Sequence, residues 1–188
     1  MTSANSTFEL PTPGNQSRGL FHRHPSSRGR AVVGVFIWGG LSLAVAALGA
    51  LASIQAAEFY GVLIKPSWAP PPGVFGPVWS ALYLMMAVAA WLVWQEGRRQ
   101  PVTPALALYV LALVPNALWS WLFFAWHRGD WALWDVAVLW CLLAMTCVAF
   151  WRVRPLAGAL MLPVWAWVSF AATLNTAVWL ANPVLLGA

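Results

Sequence analysis

Apolar residues fall along this chain in five long runs, at approximately 31–57, 78–95, 104–126, 131–151 and 156–181, separated by short polar or proline-bearing breaks. Each run reaches the roughly 17–25 residues that a helix needs to cross a bilayer. Stretches such as AVLWCLLAMTCVAF show no apolar–polar alternation, unlike the strands of an outer-membrane barrel. Lipid offers no partners to backbone N–H and C=O groups, so each run must satisfy them internally as an α-helix. The predicted fold class is therefore an all-α integral membrane protein, a bundle of five transmembrane helices.

Composition agrees with this pattern. With 61% hydrophobic and 8% charged residues the chain is far from a water-soluble domain, in which about a quarter of residues are charged. The first thirty residues differ: they are rich in Ser, Pro, Asn, Gly and Arg and hold one acid, Glu9. Residues 1–30 are read as a disordered basic tail, and 31–188 as the membrane domain. No apolar core precedes Arg30 and the run after it is too long for one, which argues against a cleaved secretory signal; an organelle transit peptide is the alternative reading.

Basic residues set the predicted orientation. Arg18, Arg23, Arg28, Arg30, Arg98, Arg99, Arg152 and Arg154 fall on one side of a five-span chain, whereas Lys65 and Arg128 fall on the other. The positive-inside rule places the N-terminus in the cytoplasm. The net charge of +5 is thus a topology signal, and nucleic acid is not a predicted partner, because short loops give no basic groove. The lipid bilayer is. A bacterial cell membrane fits the Ala- and Trp-rich spans best, with a eukaryotic organelle membrane as the alternative.

Little chemistry is visible. Cys141 and Cys147 lie off a shared helix face, and His22, His24 and His127 do not cluster, so neither a disulfide nor a metal site is predicted. The nucleophile-elbow, zinc-protease and phosphate-loop motifs are missing, so an ordinary hydrolase, metalloenzyme or NTPase is not supported.

The fifteen tryptophans carry more information. Trp91, Trp94, Trp126, Trp131 and Trp151 lie near span ends, where an indole settles at headgroup level. Trp79, Trp119, Trp165 and Trp167 lie deeper and need partners or a ligand. Asn116, Trp119 and Phe123 recur at i, i+3 and i+7, and Trp167, Ala171, Leu174 and Asn175 at i, i+4, i+7 and i+8, which makes two helical stripes. An intramembrane Asn must hydrogen-bond to a neighbouring helix or a ligand, so both stripes are predicted to face the bundle interior. Packing glue and a flat-walled ligand cleft are equally open readings of them.

Asp135 is the one acid well inside an apolar run; near a helix N-terminus, the macrodipole would favour it in a structural role. Gly40 and Ala44, Ala46 and Ala50, and Gly49 and Ser53 have the small-xxx-small spacing of close helix crossings, within the bundle or between two copies.

The segments FYGVLIKPSWAPPPGVFGPVWSALY, NALWSWLFF, WALWD and LMLPVWAWVSFAATLN occur in that order between Phe59 and Asn182. In them the chain resembles the tryptophan-rich sensory protein/translocator protein family, also known as peripheral benzodiazepine receptors. The resemblance implies a five-helix bundle, often a homodimer, with a ligand pocket covered by the loop after the first span. It implies binding of protoporphyrin-type tetrapyrroles and similar flat apolar ligands, with no cofactor required and no catalytic residues. Carried over by motif, the pocket residues are Trp68, Phe75, Trp79, Asn116, Trp119, Ala171, Leu174 and Asn175. Pro66, Pro70, Pro71, Pro72 and Pro77 would hold the loop semi-rigid as a lid, since proline fixes φ near −65°.

Two positions depart from the family. Some bacterial members are described as degrading porphyrin in light with a pair of tryptophans; this chain has Phe59 and Thr176 there. The expectation is a receptor or sensor, with a role in tetrapyrrole transport or regulation, and a light-dependent porphyrin-degrading enzyme as the alternative. The animal sterol pattern is also broken, by Thr176 and Leu180, so cholesterol is not a predicted ligand.

Overall fold

The structure is a computed structural model that describes residues 27–187. The expected tail lies outside the described residues, apart from its last four, which are already helical. Six α-helices follow: α1 (Ser27–Ala52), α2 (Ala56–Val62), α3 (Phe75–Glu96), α4 (Thr103–Ser120), α5 (Gly129–Val153) and α6 (Pro155–Ala181). All but the short α2 are long and apolar enough to span a membrane, α4 being extended by a π-helical turn over Trp121–Ala125. The chain is an integral, multi-pass membrane protein with five spans among the described residues.

Two boundaries differ from the run-based reading. The first run does not stay helical to residue 57: α1 stops at Ala52, a turn covers 53–55, and α2 starts afresh at Ala56. Neither Gly nor Pro marks this break, so it carries no local punctuation. Tyr60 and Leu63, buried against Phe123 and Leu174, draw α2 over the end of the bundle. The second correction concerns Pro77, which lies in the first turn of α3 rather than in the loop. First-turn N–H groups have no intrahelical acceptor, so a proline there costs nothing, and Phe75 can open the helix.

The five spans close into a ring in the order α1, α3, α6, α5, α4, each packing on its two neighbours. Met86, Val93, Leu143, Phe150, Met161 and Val164 fill the centre and are almost fully buried. Large apolar residues also point outward, with Leu43 71% and Trp134 75% exposed, as lipid-facing side chains should. At the α5–α6 corner Arg154 is extended and Pro155 opens the next helix. Gly158 lets that corner close: a Cβ there would sit 2.7 Å from the Trp151 Cα.

At the arginine-bearing end, polar contacts lock the ring. The Arg30 guanidinium donates to the Trp94 carbonyl (2.9 Å) and lies 4.5 Å over the Trp94 ring. Trp91 Nε1 donates to the Ala31 carbonyl at 2.9 Å. These indoles, read as interfacial, thus also tie α3 to α1. Glu96 pairs with Arg99 and Arg154 at 3.4 and 3.5 Å.

Candidate functional site

The opposite end is covered by the loop joining α2 to α3, and side chains fix it at three points. Lys65 Nζ donates to the carbonyls of Tyr60 (2.6 Å) and Leu63 (2.7 Å), groups left open where α2 ends. The Tyr60 hydroxyl donates to the Pro70 carbonyl at 3.2 Å, and burial pushes this phenol above its ordinary value. Asn182, 5% exposed at the end of α6, accepts from the Ile64 N–H (2.8 Å) and donates to the Ile64 carbonyl (2.8 Å). One amide side chain thereby pairs a loop residue as a neighbouring strand would.

Beneath the loop the helices carry aromatic residues at helical spacing. Phe75, Trp79 and Tyr83 recur every fourth residue on α3 and so share a face. Tyr60 meets Phe75 edge-on at 5.5 Å between ring centroids, and Trp79 lies 5.7 Å from Tyr83. On α4, Trp119 stacks on Phe123 at 5.2 Å with a 12° interplanar angle. The π-helical turn after Ser120 makes this arrangement possible: Trp126 N–H bonds to the Trp121 carbonyl at 2.8 Å, one residue further back than in an α-helix. Wider winding brings Phe124 beside Trp119 as well, with centroids 5.7 Å apart.

Two cavities result. The larger, of about 410 Å³, has one wall of small residues from α1, α2 and the turn between them, including Ala46, Gly49, Ser53 and Ala57. Its other wall is aromatic, made by Tyr60, Phe75, Trp79, Tyr83, Trp119 and Phe124, with Asn116 beside them. The smaller cavity, about 30 Å³, is bounded by Phe123, Trp167, Ala171, Leu174, Asn175 and Val178. Tyr60, Phe75, Trp79, Trp119 and Phe124 line both and form the partition.

The structure distributes the predicted residues unevenly. Phe75, Trp79 and Trp119 lie in the partition, Asn116 in the larger cavity, and Ala171, Leu174 and Asn175 in the smaller. Trp68 lines neither: it is half exposed and packs edge-on against Phe170 at 5.8 Å. Phe75 belongs to the start of α3 and is a wall residue.

The two asparagines differ in use. Asn175 accepts from Trp119 Nε1 (3.2 Å) and donates to the Gly129 carbonyl (3.1 Å), which ties α6 to α4 and α5; it is packing glue that also lines a cavity. Asn116 accepts from the Tyr83 hydroxyl at 2.5 Å, while its buried amide nitrogen has no partner among the described residues. Asn116 borders the larger cavity, but this nitrogen is covered, so a small turn of the side chain is needed before it meets an acceptor on a ligand. Asp135 lies in the second turn of α5, beyond the first-turn position where the dipole is strongest; Asp130 occupies that turn and pairs with Arg128 at 2.8 Å.

Three residues escaped the sequence reading. Tyr83 lies on the Trp79 face one turn on, a signal that spacing could have supplied. Tyr60 lines the site because α2 breaks from α1, and Asn182 acts across 118 residues of chain. Neither leaves a local pattern.

These features coincide with a sequence family. A model of the TspO/MBR family matches residues 38–180. The chain belongs to this family. It is 41% identical over 127 residues to a translocator protein of Homo sapiens, covering 66% of this chain and 75% of that protein. It is 37% identical over 146 residues to a tryptophan-rich protein TspO of Chlorobaculum tepidum, covering 77% and 92%. With a tryptophan-rich sensory protein of Cereibacter sphaeroides it shares 41% identity over 119 residues, covering 63% and 73%. The cavities and every predicted site residue fall within the TspO/MBR match.

Proposed function

We propose that this chain is a membrane receptor that binds a protoporphyrin-type tetrapyrrole, or a similar flat apolar molecule, in the larger cavity. The observation that carries this reading is a 410 Å³ space with a small-residue wall facing an aromatic one and one unpartnered amide at its edge. That volume lies in the roughly 300–1,000 Å³ range of small-molecule sites. In this reading Trp79 and Trp119 supply flat contact area, Asn116 fixes an acceptor at the ligand edge, and Ala171 and Leu174 give way when the partition moves. Trp68 stays with the lid. No cofactor is required.

Phe59 and Thr176 support binding over light-driven degradation. Phe59 stacks on His127 at 4.0 Å, Thr176 bonds its own helix at the Ala172 carbonyl, and neither lines a cavity. Phenylalanine and threonine are also much harder to oxidise than indole. Protoporphyrin mixed with the protein and illuminated should keep its Soret band while the band is shifted by binding. Protein-dependent bleaching would favour the enzyme, and the absence of a saturable shift would reject both. A homodimer through the exposed Gly40 and Ala44 face of α1 is part of the proposal; crosslinking in membranes that gave monomer alone would reject it.

A further inference from the structure

We infer that the larger cavity is entered sideways from the lipid, through a window between the α1–α2 corner and the start of α3, and not from water through the loop. The inference deepens the proposed ligand site and rests on it for the identity of the ligand, though not for the route.

The route through the loop is shut. The loop is held by the two Ile64 bonds of Asn182, by Lys65 on two carbonyls, and by Tyr60 on Pro70. Each net bond is modest, but all must break together for the loop to lift. Asn182 is itself anchored by donating to the Val178 carbonyl at 2.7 Å.

The side wall is different. Among residues lining the larger cavity, the exposed ones are Ala50 and Ala57 on one edge and Pro72, Gly76 and Ser80 on the other. None of these five residues carries a large side chain. A Cβ built on Gly76 meets nothing within 4 Å, and the Ser80 hydroxyl is turned back onto the Gly76 carbonyl at 2.9 Å. Lower down, α1 and α3 are pressed together where Gly34 meets Trp91 and Trp94, so the gap belongs to the lid end alone. Ser80 lies five residues into α3, about 7.5 Å along the helix from Phe75, so the window runs from the helix end into the apolar spanning segment. A flat amphiphile dissolved in that leaflet would meet the aromatic wall edge-on. The occupant of the window is therefore a bilayer-dissolved ligand.

The test needs no porphyrin. In full-length protein carrying Cys141→Ala and Cys147→Ala, a single thiol is placed in the cavity by Ser120→Cys, and the protein is reconstituted in nanodiscs. Labelling by a membrane-partitioning pyrene maleimide is compared with labelling by a sulfonated, water-soluble maleimide. The pyrene reagent should react the faster, and Gly76→Trp or Ser80→Trp should each slow it by about tenfold or more, as a blocked route does. Asn182→Ala, which loosens the loop, should leave that rate within about twofold. Preference for the sulfonated reagent, acceleration by Asn182→Ala, indifference to both tryptophans, or no pyrene labelling would each overturn the window. Failure of the same nanodiscs to bind protoporphyrin would fault the ligand assignment, and only that.

Discussion

Trp119 is the residue whose loss should cost most, because it lines both cavities and stacks on Phe123. Trp119→Ala removes one ligand-facing indole surface. An indole buries about 200 Å², and half of that at about 25 cal/mol per Å² is about 2.5 kcal/mol, an approximately 70-fold weakening if water fills the vacated space. If an acyl chain fills it instead, only the ring-stacking preference is lost, about 0.5–1.5 kcal/mol or roughly 2- to 12-fold. The expected weakening lies between these limits. Trp119→Phe keeps a flat face but gives up the bond to Asn175 Oδ1, so it should lose less than the alanine variant. The assay is the Soret shift of protoporphyrin titrated into nanodiscs, which does not depend on the fluorescence of the residue removed; circular dichroism verifies the fold. An affinity unchanged within twofold in a folded Trp119→Ala protein would refute the wall assignment.

Other expectations concern the scaffold. Asn182→Ala should speed hydrogen exchange at the Ile64 amide by about tenfold per kcal/mol and a half of lost protection; unaltered exchange would mean the amide pairing is not what holds the loop. Gly158→Ala forces a Cβ onto the Trp151 backbone and should cost about 1–3 kcal/mol, seen as a lowered Tm in detergent; an unchanged Tm would show that the α5–α6 corner can spread freely. Tyr60 has its phenol raised from 10.0 by burial, so the neutral form is favoured in the folded chain. Its contribution is complete below pH 10 and lost as pH rises through the raised value, so the phenolate absorbance that grows in above pH 10 should be smaller by one tyrosine in Tyr60→Phe; an unchanged titration curve would contradict the assignment.

Much of the architecture was legible because lipid leaves the backbone few choices. Run length alone located all five spans, and the alternation test excluded strands. The break at 53–55 was not legible, since Ser, Ile and Gln in an apolar run can continue a helix; burial of Tyr60 and Leu63 decides it. The Asn116–Trp119–Phe123 stripe was legible as a face, but the π-helical turn that divides it between two cavities depends on packing and leaves no periodic trace. Asn175 illustrates the limit of the polar argument. Its membrane depth implied a partner, and only the structure identifies Trp119 and Gly129 as those partners. Trp68 shows the converse: placed by motif in the pocket, it packs on Phe170 outside both cavities.

The most direct test of the central claim is a comparison of protoporphyrin affinity between the wild-type chain and Gly49→Phe in the same nanodiscs. Gly49 lines the larger cavity and a Cβ there meets only the Ser120 hydroxyl, at 3.4 Å, so a phenyl group at this position takes up cavity space; circular dichroism verifies the fold. The wild type should bind saturably, and Gly49→Phe should not. Equal binding by both proteins, or no saturable binding by the wild type, would contradict it.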